Sequence, residues 1–447
     1  MAQGQINWKS SGSATKSYIV NPALERGLAY QFRNRSALGR LSKPIMERMI
    51  SDNGRMRSQD LAATAVIQRK EIKTGDEARF TLIQNIKGAA THGDAPVRTG
   101  DYLAYLHKNI KINQIHTPAI PMMEEMSRMR VAEVLSGEEN EVRRQLEMWL
   151  AEEYTYDGYS AMFNGASKGL LTIPENEGGL NLDLGRGAGK GLSIEHILIA
   201  GKTGTQVGEL SYAATSSSAA LTAYEVAINT ALIAADAQLA GAADDAARQT
   251  LYGFHRGIIA DLRDWVVTAK IAETEVAGNG KWFVACDPSL LKTLTRQGGE
   301  LFEAWKYSRE RAESNPVFGY DYIELDDFVF FKDPYLKQFR PVVGAGGAEI
   351  TWGNSGYADM RERAVPTSNW APMLILGNQA MMEATSGTVS LTSYEGKHGQ
   401  GCEIAGHIKQ SFMRTQWQPK DGRTTPFLNQ SSALVLAYAP TSTFTNF

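Results

Sequence analysis

Between Val142 and Phe163 the apolar residues Val142, Leu146, Trp149, Leu150, Tyr156, Tyr159 and Phe163 recur at steps of three or four, or multiples of that step. That spacing lays one stripe along a helix. Arg143, Arg144, Glu147, Glu152 and Asp157 fill the opposite side. Ser136-Gly137-Glu138-Glu139 has the form of a capping box, which opens a helix by satisfying free amides from two side chains. Asn164-Gly165 supplies a stop. The predicted helix is roughly 40 Å long, enough to act as a spine for more than one layer of structure.

Upstream, the pattern shortens to a period of two. Val66, Ile67 and Ile72 precede Lys73-Thr74-Gly75-Asp76, and Phe80, Leu82 and Ile86 alternate with polar residues after it. This predicts a long hairpin over 64–86 with the glycine-containing turn at its end. Its tip is dense in charge: Arg69, Lys70, Glu71, Lys73, Asp76, Glu77 and Arg79. A two-stranded ribbon is marginal alone in water, so one this charged either projects to a partner or is covered by one. A glycine-rich loop over 88–100 leads to a further strand around Ile110 and Ile112, which Thr117-Pro118 ends. Residues 1–60 show little periodicity and read as an extended arm, with one short helix around Lys43 to Ile50.

Downstream, residues 164–216 are rich in Gly, Ser and Thr and read as a long excursion. Ser217 to Lys270 returns to helix, first alanine-rich, then with Ile258, Leu262, Trp265, Val266 and Ala269 at helical spacing. From Lys281 the pattern is mixed. Trp282 to Cys286 reads as a buried strand, and Asp287-Pro288 as an N-cap with proline at the first helical position, opening a helix through Leu294. Phe328–Phe331, Met373–Leu376, Ile404–Phe412 and Ala433–Tyr438 are further strand candidates.

Composition changes the picture in one respect. The 447 residues, enough for two or three domains, carry a net charge of only −3. Yet residues 1–57 hold ten Lys or Arg against Glu25, Glu47 and Asp52, so the arm carries about +7 and the rest about −10. Arg33, Arg35, Arg40 and Lys43 are the arm's candidates for contact with a neighbouring chain or with phosphate. Two cysteines, Cys286 and Cys402, make no disulfide framework and suit a reducing compartment. The first twenty residues lack the apolar core of a signal peptide, and the most apolar run, Ala219 to Ala235, is broken by Glu225. No membrane association is expected.

Candidate chemistry is sparse. Ser13-Ala14-Thr15-Lys16, Ser51-Asp52-Asn53 and Lys202-Thr203-Gly204 occur in the order found in serine penicillin-recognising enzymes. That acyl-enzyme chemistry needs its serine at the start of a buried helix, whereas Ser13 sits in a polar arm. Gly185 to Lys190 imitates a phosphate loop but is one residue short, and Gly191 replaces the required Ser or Thr. The seven histidines are scattered, with no metal-binding spacing. Catalytic residues, cofactors and metals are therefore not expected.

Basic arm, charged hairpin, long helix and terminal α/β segment together resemble the major capsid proteins of tailed phages, of the Hong Kong phage capsid fold. More narrowly, the chain resembles the major capsid family of N4-like phages. Four stretches carry the likeness: Leu103 to Ile120, Met126 to Gly165, Trp282 to Leu294 with Asn315-Pro316-Val317-Phe318-Gly319, and Leu374 to Ala380 with Gly399 to Trp417. Together they span most of residues 60–440. The excursion 166–216 and the alanine-rich segment near 219–250 depart from that family's pattern.

The resemblance implies an α+β capsid fold with an N-terminal arm (1–60), an extended-loop hairpin and return strand (61–120), and a peripheral domain with the spine helix and excursion (121–254). An axial domain with a C-terminal strand returning to the peripheral domain (255–447) completes it. It implies a non-enzymatic shell subunit that assembles with itself into hexamers and pentamers around double-stranded DNA, in the host bacterial cytoplasm, and resides in the virion. The implied partners are a separate scaffolding protein, a portal, an optional decoration protein, and packaged DNA held without sequence preference. An encapsulin-type compartment is the alternative on the same fold, and a serine acyl-enzyme hydrolase the remote one.

Overall fold

The computed structural model describes residues 31–33, 35–44, 66–72, 77–83, 105–122, 132–164, 197–200, 218–254, 256–268, 273–276, 279–295, 322–325, 327–343, 350–351, 368–395, 402–415 and 432–440. A short helix α1 (Ala37–Leu41) runs into β1 (Ser42–Pro44). There follow β2 (Ile67–Glu71), β3 (Glu77–Ile83), β4 (Tyr105–Lys111), β5 (Asn113–His116) and β6 (Ile120–Met122). The spine helix is α2 (Ala132–Asn164), and β7 (Ile197–Ile199) comes next. Helices α3 (Ser218–Gly241), α4 (Asp245–Tyr252) and α5 (Arg256–Thr268) precede β8 (Thr274–Val276), β9 (Asn279–Cys286) and α6 (Pro288–Thr295). The last quarter comprises β10 (Tyr322–Leu325), β11 (Phe328–Lys332), a 3-10 turn (Pro334–Phe339), β12 (Val342–Val343) and β13 (Ile350–Thr351). It closes with β14 (Trp370–Leu376), β15 (Met381–Glu395), β16 (Cys402–Arg414) and β17 (Ser432–Tyr438).

Two sheets organise the chain. The seven-stranded sheet has the order β10-β11-β9-β14-β17-β7, with β8 on β9. Its central strands are apolar through Trp282–Cys286, Trp370–Leu376 and Ala433–Tyr438 because both faces are covered there, and the pleat sorts them. Trp282, Val284, Cys286, Met373, Ile375, Val435 and Ala437 face a core closed by Ile259, Leu262, Trp265 and Val266 of α5 and Leu290 and Leu291 of α6. Phe283, Ala285, Leu374, Leu376, Leu434 and Leu436 face the opposite core, shared with Leu232 and Leu239 of α3 and the C-terminal half of α2. The junction Cys286-Asp287-Pro288 forms as expected: Asp287 Oδ1 accepts from the Ser289 amide at 2.8 Å and caps α6.

The six-stranded sheet has the order β1-β2-β15-β16-β5, with β6 also on β16. Its inner face, including Ile67, Met381, Val389, Ile408 and Phe412, joins the same core as α2. In β15 the register against β16 shifts between Thr385 and Val389. Gly387 occupies this bulge at φ 76°, a conformation that glycine takes without a Cβ penalty.

The spine begins at Ala132, one turn before the capping box, so Ser136 lies inside the helix. At 33 residues it is roughly 50 Å long. Leu146, Leu150, Tyr159 and Phe163 are buried as the stripe predicts, while Trp149 and Tyr156 pack partly buried at its margin. Tyr154, left out of the stripe, is fully buried. From Asp157 to Phe163 every residue is buried, because this end enters the core between the two sheets. At Gly158 an added Cβ would stand 3.0 Å from Leu38 Cδ1, so the missing side chain is what lets α1 lie on the spine.

Four sequence expectations need correction. The predicted hairpin over 64–86 does not pair with itself. β2 runs parallel to β1 and to β15, and β3 pairs antiparallel with β4 from Glu77↔Lys111 to Ile83↔Tyr105. Burial decides the outcome: Ile67 and Gln68 are buried in the sheet, while Ala78, Phe80 and Ile110 form the ribbon's own buried root. The arm's helix lies at Ala37–Leu41, capped by Ser36 Oγ on the Gly39 amide at 3.3 Å, and Lys43 falls in β1; residues 45–50 are outside the described residues. The excursion 166–216 contributes β7, which pairs parallel with Leu434–Leu436 of β17. Finally, the strands that cross into the other sheet are β15 and β16, and the C-terminal strand β17 rejoins β14.

Candidate functional site

The charged residues expected at a single hairpin tip are divided between two structures. Arg69, Lys70 and Glu71 lie on β2, inside the six-stranded sheet; Glu77 and Arg79 lie exposed on β3 of the ribbon; Lys73 and Asp76 are outside the described residues. Arg69 Nε stands 3.8 Å from Glu71 Oε1. Lys70 Nζ donates to the Arg79 carbonyl at 3.2 Å, tying sheet to ribbon. The ribbon's described part is about 23 Å long at seven residues per strand. Ala78, Phe80 and Ile110 bury one face of its end nearest the sheet, and Glu77 and Arg79 are exposed on the other.

The arm's four cations also separate. Arg33 is 5% exposed and is committed within the subunit. Its Nε lies 3.3 Å from Glu383 Oε1, its second guanidinium nitrogen donates to Thr385 Oγ1 at 2.9 Å, and its charge lies over the Phe32 ring at 5.2 Å. Glu383, fully buried on β15, also accepts from Ser42 Oγ at 2.5 Å and Tyr154 OH at 2.8 Å. Burial, then the Glu383 charge, pushes the Tyr154 phenol well above its usual range, so it stays a donor. Arg33 therefore corrects the expectation of a neighbour or phosphate contact: desolvation makes an ion pair inside the core its required partner. Arg35 Nε donates to Glu147 Oε1 on the spine at 2.5 Å with its side chain nearly half exposed, and Arg40 is exposed. With Met148, Glu152, Lys332 and Tyr335, these two arginines line a cleft of about 470 Å³.

An aromatic seam joins the spine to the seven-stranded sheet. Phe163 stacks on Phe339 at 4.7 Å and Tyr156 meets Tyr335 edge-on at 4.8 Å. Between them Tyr159 OH donates to Asp333 Oδ2 at 2.8 Å, and the Tyr335 amide donates to Asp333 Oδ1 at 3.1 Å. Burial raises the Asp333 carboxyl from 3.8 to about 6 despite both bonds. Between those values the folded state holds a proton that the unfolded chain has released, so stability falls as pH rises. The contribution is complete below pH 3.8 and lost through pH 6. Asp333→Asn keeps an acceptor and removes the titration. We expect the stability difference between parent and variant to change by up to about 3 kcal/mol between pH 4 and 7, read from urea unfolding at each pH. Parallel pH profiles would rule this out.

A second buried pair ties the sheet's end together. Arg340 Nε donates to Asp287 Oδ2 at 2.7 Å, and its Nη1 donates to the Ser368 carbonyl at 2.8 Å. Neighbouring Cys286 is buried, and desolvation followed by the Asp287 charge raises its thiol far beyond the range of a nucleophile. The serine and phosphate-loop motifs at Ser13, Ser51, Lys202 and 185–191 lie outside the described residues. Among the described residues no group of three or more His, Cys, Asp or Glu could hold a metal ion, and no helix is long and apolar enough to cross a membrane. Sequence reasoning missed Glu383 and Asp333. A lone acid inside the apolar run Met381-Met382-Glu383-Ala384 is the one signal that could have marked the first.

No protein-family model and no curated protein matches the chain. Among solved structures, it is similar to the capsid of Ralstonia phage GP4, at 16% identity and TM-score 0.52, over 85% of this chain and 89% of that one. It is also similar to the capsid of cyanophage Pam1, at 10% identity and TM-score 0.51, over 84% and 89%. The chain thus has the α+β fold of phage capsid subunits, the Hong Kong type that its sequence pattern resembles.

Proposed function

We propose that this chain is the major capsid subunit of a tailed phage, a structural protein that assembles with itself into the icosahedral shell around double-stranded DNA. The observation that carries the reading is the shared fold over about 85% of the chain, with the two-stranded β3–β4 ribbon and a long spine in place. A shell needs self-complementary surfaces that close rather than a catalytic group. In this reading the seven-stranded sheet with α5 and α6, drawn mostly from residues 255–447, gathers about five-fold and six-fold centres as an axial domain, while β15 and β16 join the spine in a peripheral domain that packs along capsomer edges. The β3–β4 ribbon lies across a neighbouring subunit, offering Glu77 and Arg79 to it. Arg35, Arg40 and Lys43 of the arm contact a neighbour or the phosphates of packaged DNA without reading sequence. A separate scaffolding protein and a portal serve assembly in the host bacterial cytoplasm, a decoration protein is an optional addition, and the mature location is the virion. The narrower kinship with N4-like phages rests on the four sequence stretches.

Electron microscopy of the chain expressed alone and with a candidate scaffolding protein tests the proposal. Closed shells, rings of five or six, or curved sheets are the expected result. A stable monomer under both conditions would overturn it.

A further inference from the structure

His116 and His407 are far apart in sequence, but the sheet brings them face to face. β5 pairs antiparallel with β16, and the register places His116 directly opposite His407. The Thr117 amide donates to the Gly406 carbonyl at 2.8 Å, which makes 117/406 a hydrogen-bonded pair and 116/407 a non-hydrogen-bonded one. Pairs of the second kind are the closer, with Cα atoms about 4.5 Å apart. The two imidazole rings are accordingly 5.9 Å apart between centroids and inclined by 37°. Both residues point away from the core: Ile408 and Gln410 alternate with them into the buried face, while Gln114 and Lys409 share their outer face.

We propose that His116 and His407 form a bidentate site for a first-row divalent transition ion such as zinc, nickel or copper. Neutral imidazole is the common ligand of these metals. Two ring nitrogens holding one ion at about 2.1 Å with a near-tetrahedral angle place their ring centroids about 5 Å apart. Side-chain rotation of less than about 1 Å brings the observed pair to that geometry, and water completes the coordination. β5 ends the strand order of its sheet, so the ion would rivet an outer strand to β16. The argument for this site uses the single chain alone and does not rest on the shell reading.

The test is titration of the chelator-stripped full chain with nickel and with zinc, followed by calorimetry, using His116→Ala, His407→Ala and the double variant. Two linked ligands gain on the order of 100-fold from chelation, so each single substitution should weaken binding by about that factor, and the double by little more. Nickel should raise the melting temperature of the parent and leave the variants unmoved. His116→Gln and His407→Gln repeat the comparison if an alanine variant fails to fold. Unchanged binding in either single variant, or losses that simply multiply in the double, would overturn the proposal.

Discussion

Glu383→Ala is expected to destabilise the folded subunit by about 3–5 kcal/mol, because it leaves the Arg33 guanidinium buried without its counter-charge. The same change strands two hydroxyls, Ser42 Oγ and Tyr154 OH, that Glu383 accepts from at 2.5 and 2.8 Å. Urea unfolding of the purified chain reads the loss directly. Arg33→Met alone should cost a comparable amount by leaving the carboxylate unpaired. The double variant Arg33→Met/Glu383→Leu should be far less damaging than the sum, since an apolar pair can replace a buried ion pair at little cost. Recovery should be incomplete because the two hydroxyls still lack their acceptor. Strict additivity would show that the arm is not held by this pair. If it is, the first place to loosen in the single variants is α1, which packs on the spine beside it.

Asp287→Ala should be comparable, about 3–5 kcal/mol for the orphaned Arg340 and about 1 kcal/mol more for the lost helix cap. Three chain segments meet at the Asp287–Arg340 pair: the end of β9 and start of α6, the end of the 3-10 turn, and Ser368 before β14, whose carbonyl accepts from Arg340. Arg340→Lys keeps the charge but lacks the planar fork that serves Asp287 and the Ser368 carbonyl together, so it should fall between parent and Asp287→Ala. A loss below 1 kcal/mol for Asp287→Ala, by the same unfolding measurement, would place the restraint on this end of the sheet elsewhere.

What the sequence made legible is local. Trp282 to Cys286 followed by Asp287-Pro288 declares a buried strand and a capped helix, because apolar run, capping oxygen and proline all act within a few residues. The stripe through Leu146, Leu150, Tyr159 and Phe163 declares the spine for the same reason. Partner choice is not local. A turn at Lys73–Asp76 invited β2 and β3 to pair, yet a buried place beside Met381 drew β2 away and the alternation of Ala78 and Phe80 matched Ile110 instead. β15, the longest strand among the described residues, escaped notice because Ser, Thr, Glu383 and Gly387 give it the composition of a loop. Its acid is neutralised by an arginine 350 positions upstream, and its glycine is required by a bulge. The basic arm misled in the same way: net charge counts Arg33 equally with Arg40, although one is buried against Glu383 and the other is exposed.

The strand order carries a consequence for how a cell makes this protein. In the seven-stranded sheet β17, ending at Tyr438, lies between β14 and β7, and in the six-stranded sheet β15 and β16 lie between β2 and β5. In each sheet, strands that insert between earlier ones are therefore synthesised last. At about 5–20 residues per second, β1, β2 and β5 wait many seconds for β15 and β16 to emerge from the ribosome. Such non-local pairing slows folding. Neither sheet can close until almost the whole chain has been translated, so the nascent polypeptide presents neither finished sheet to a neighbour.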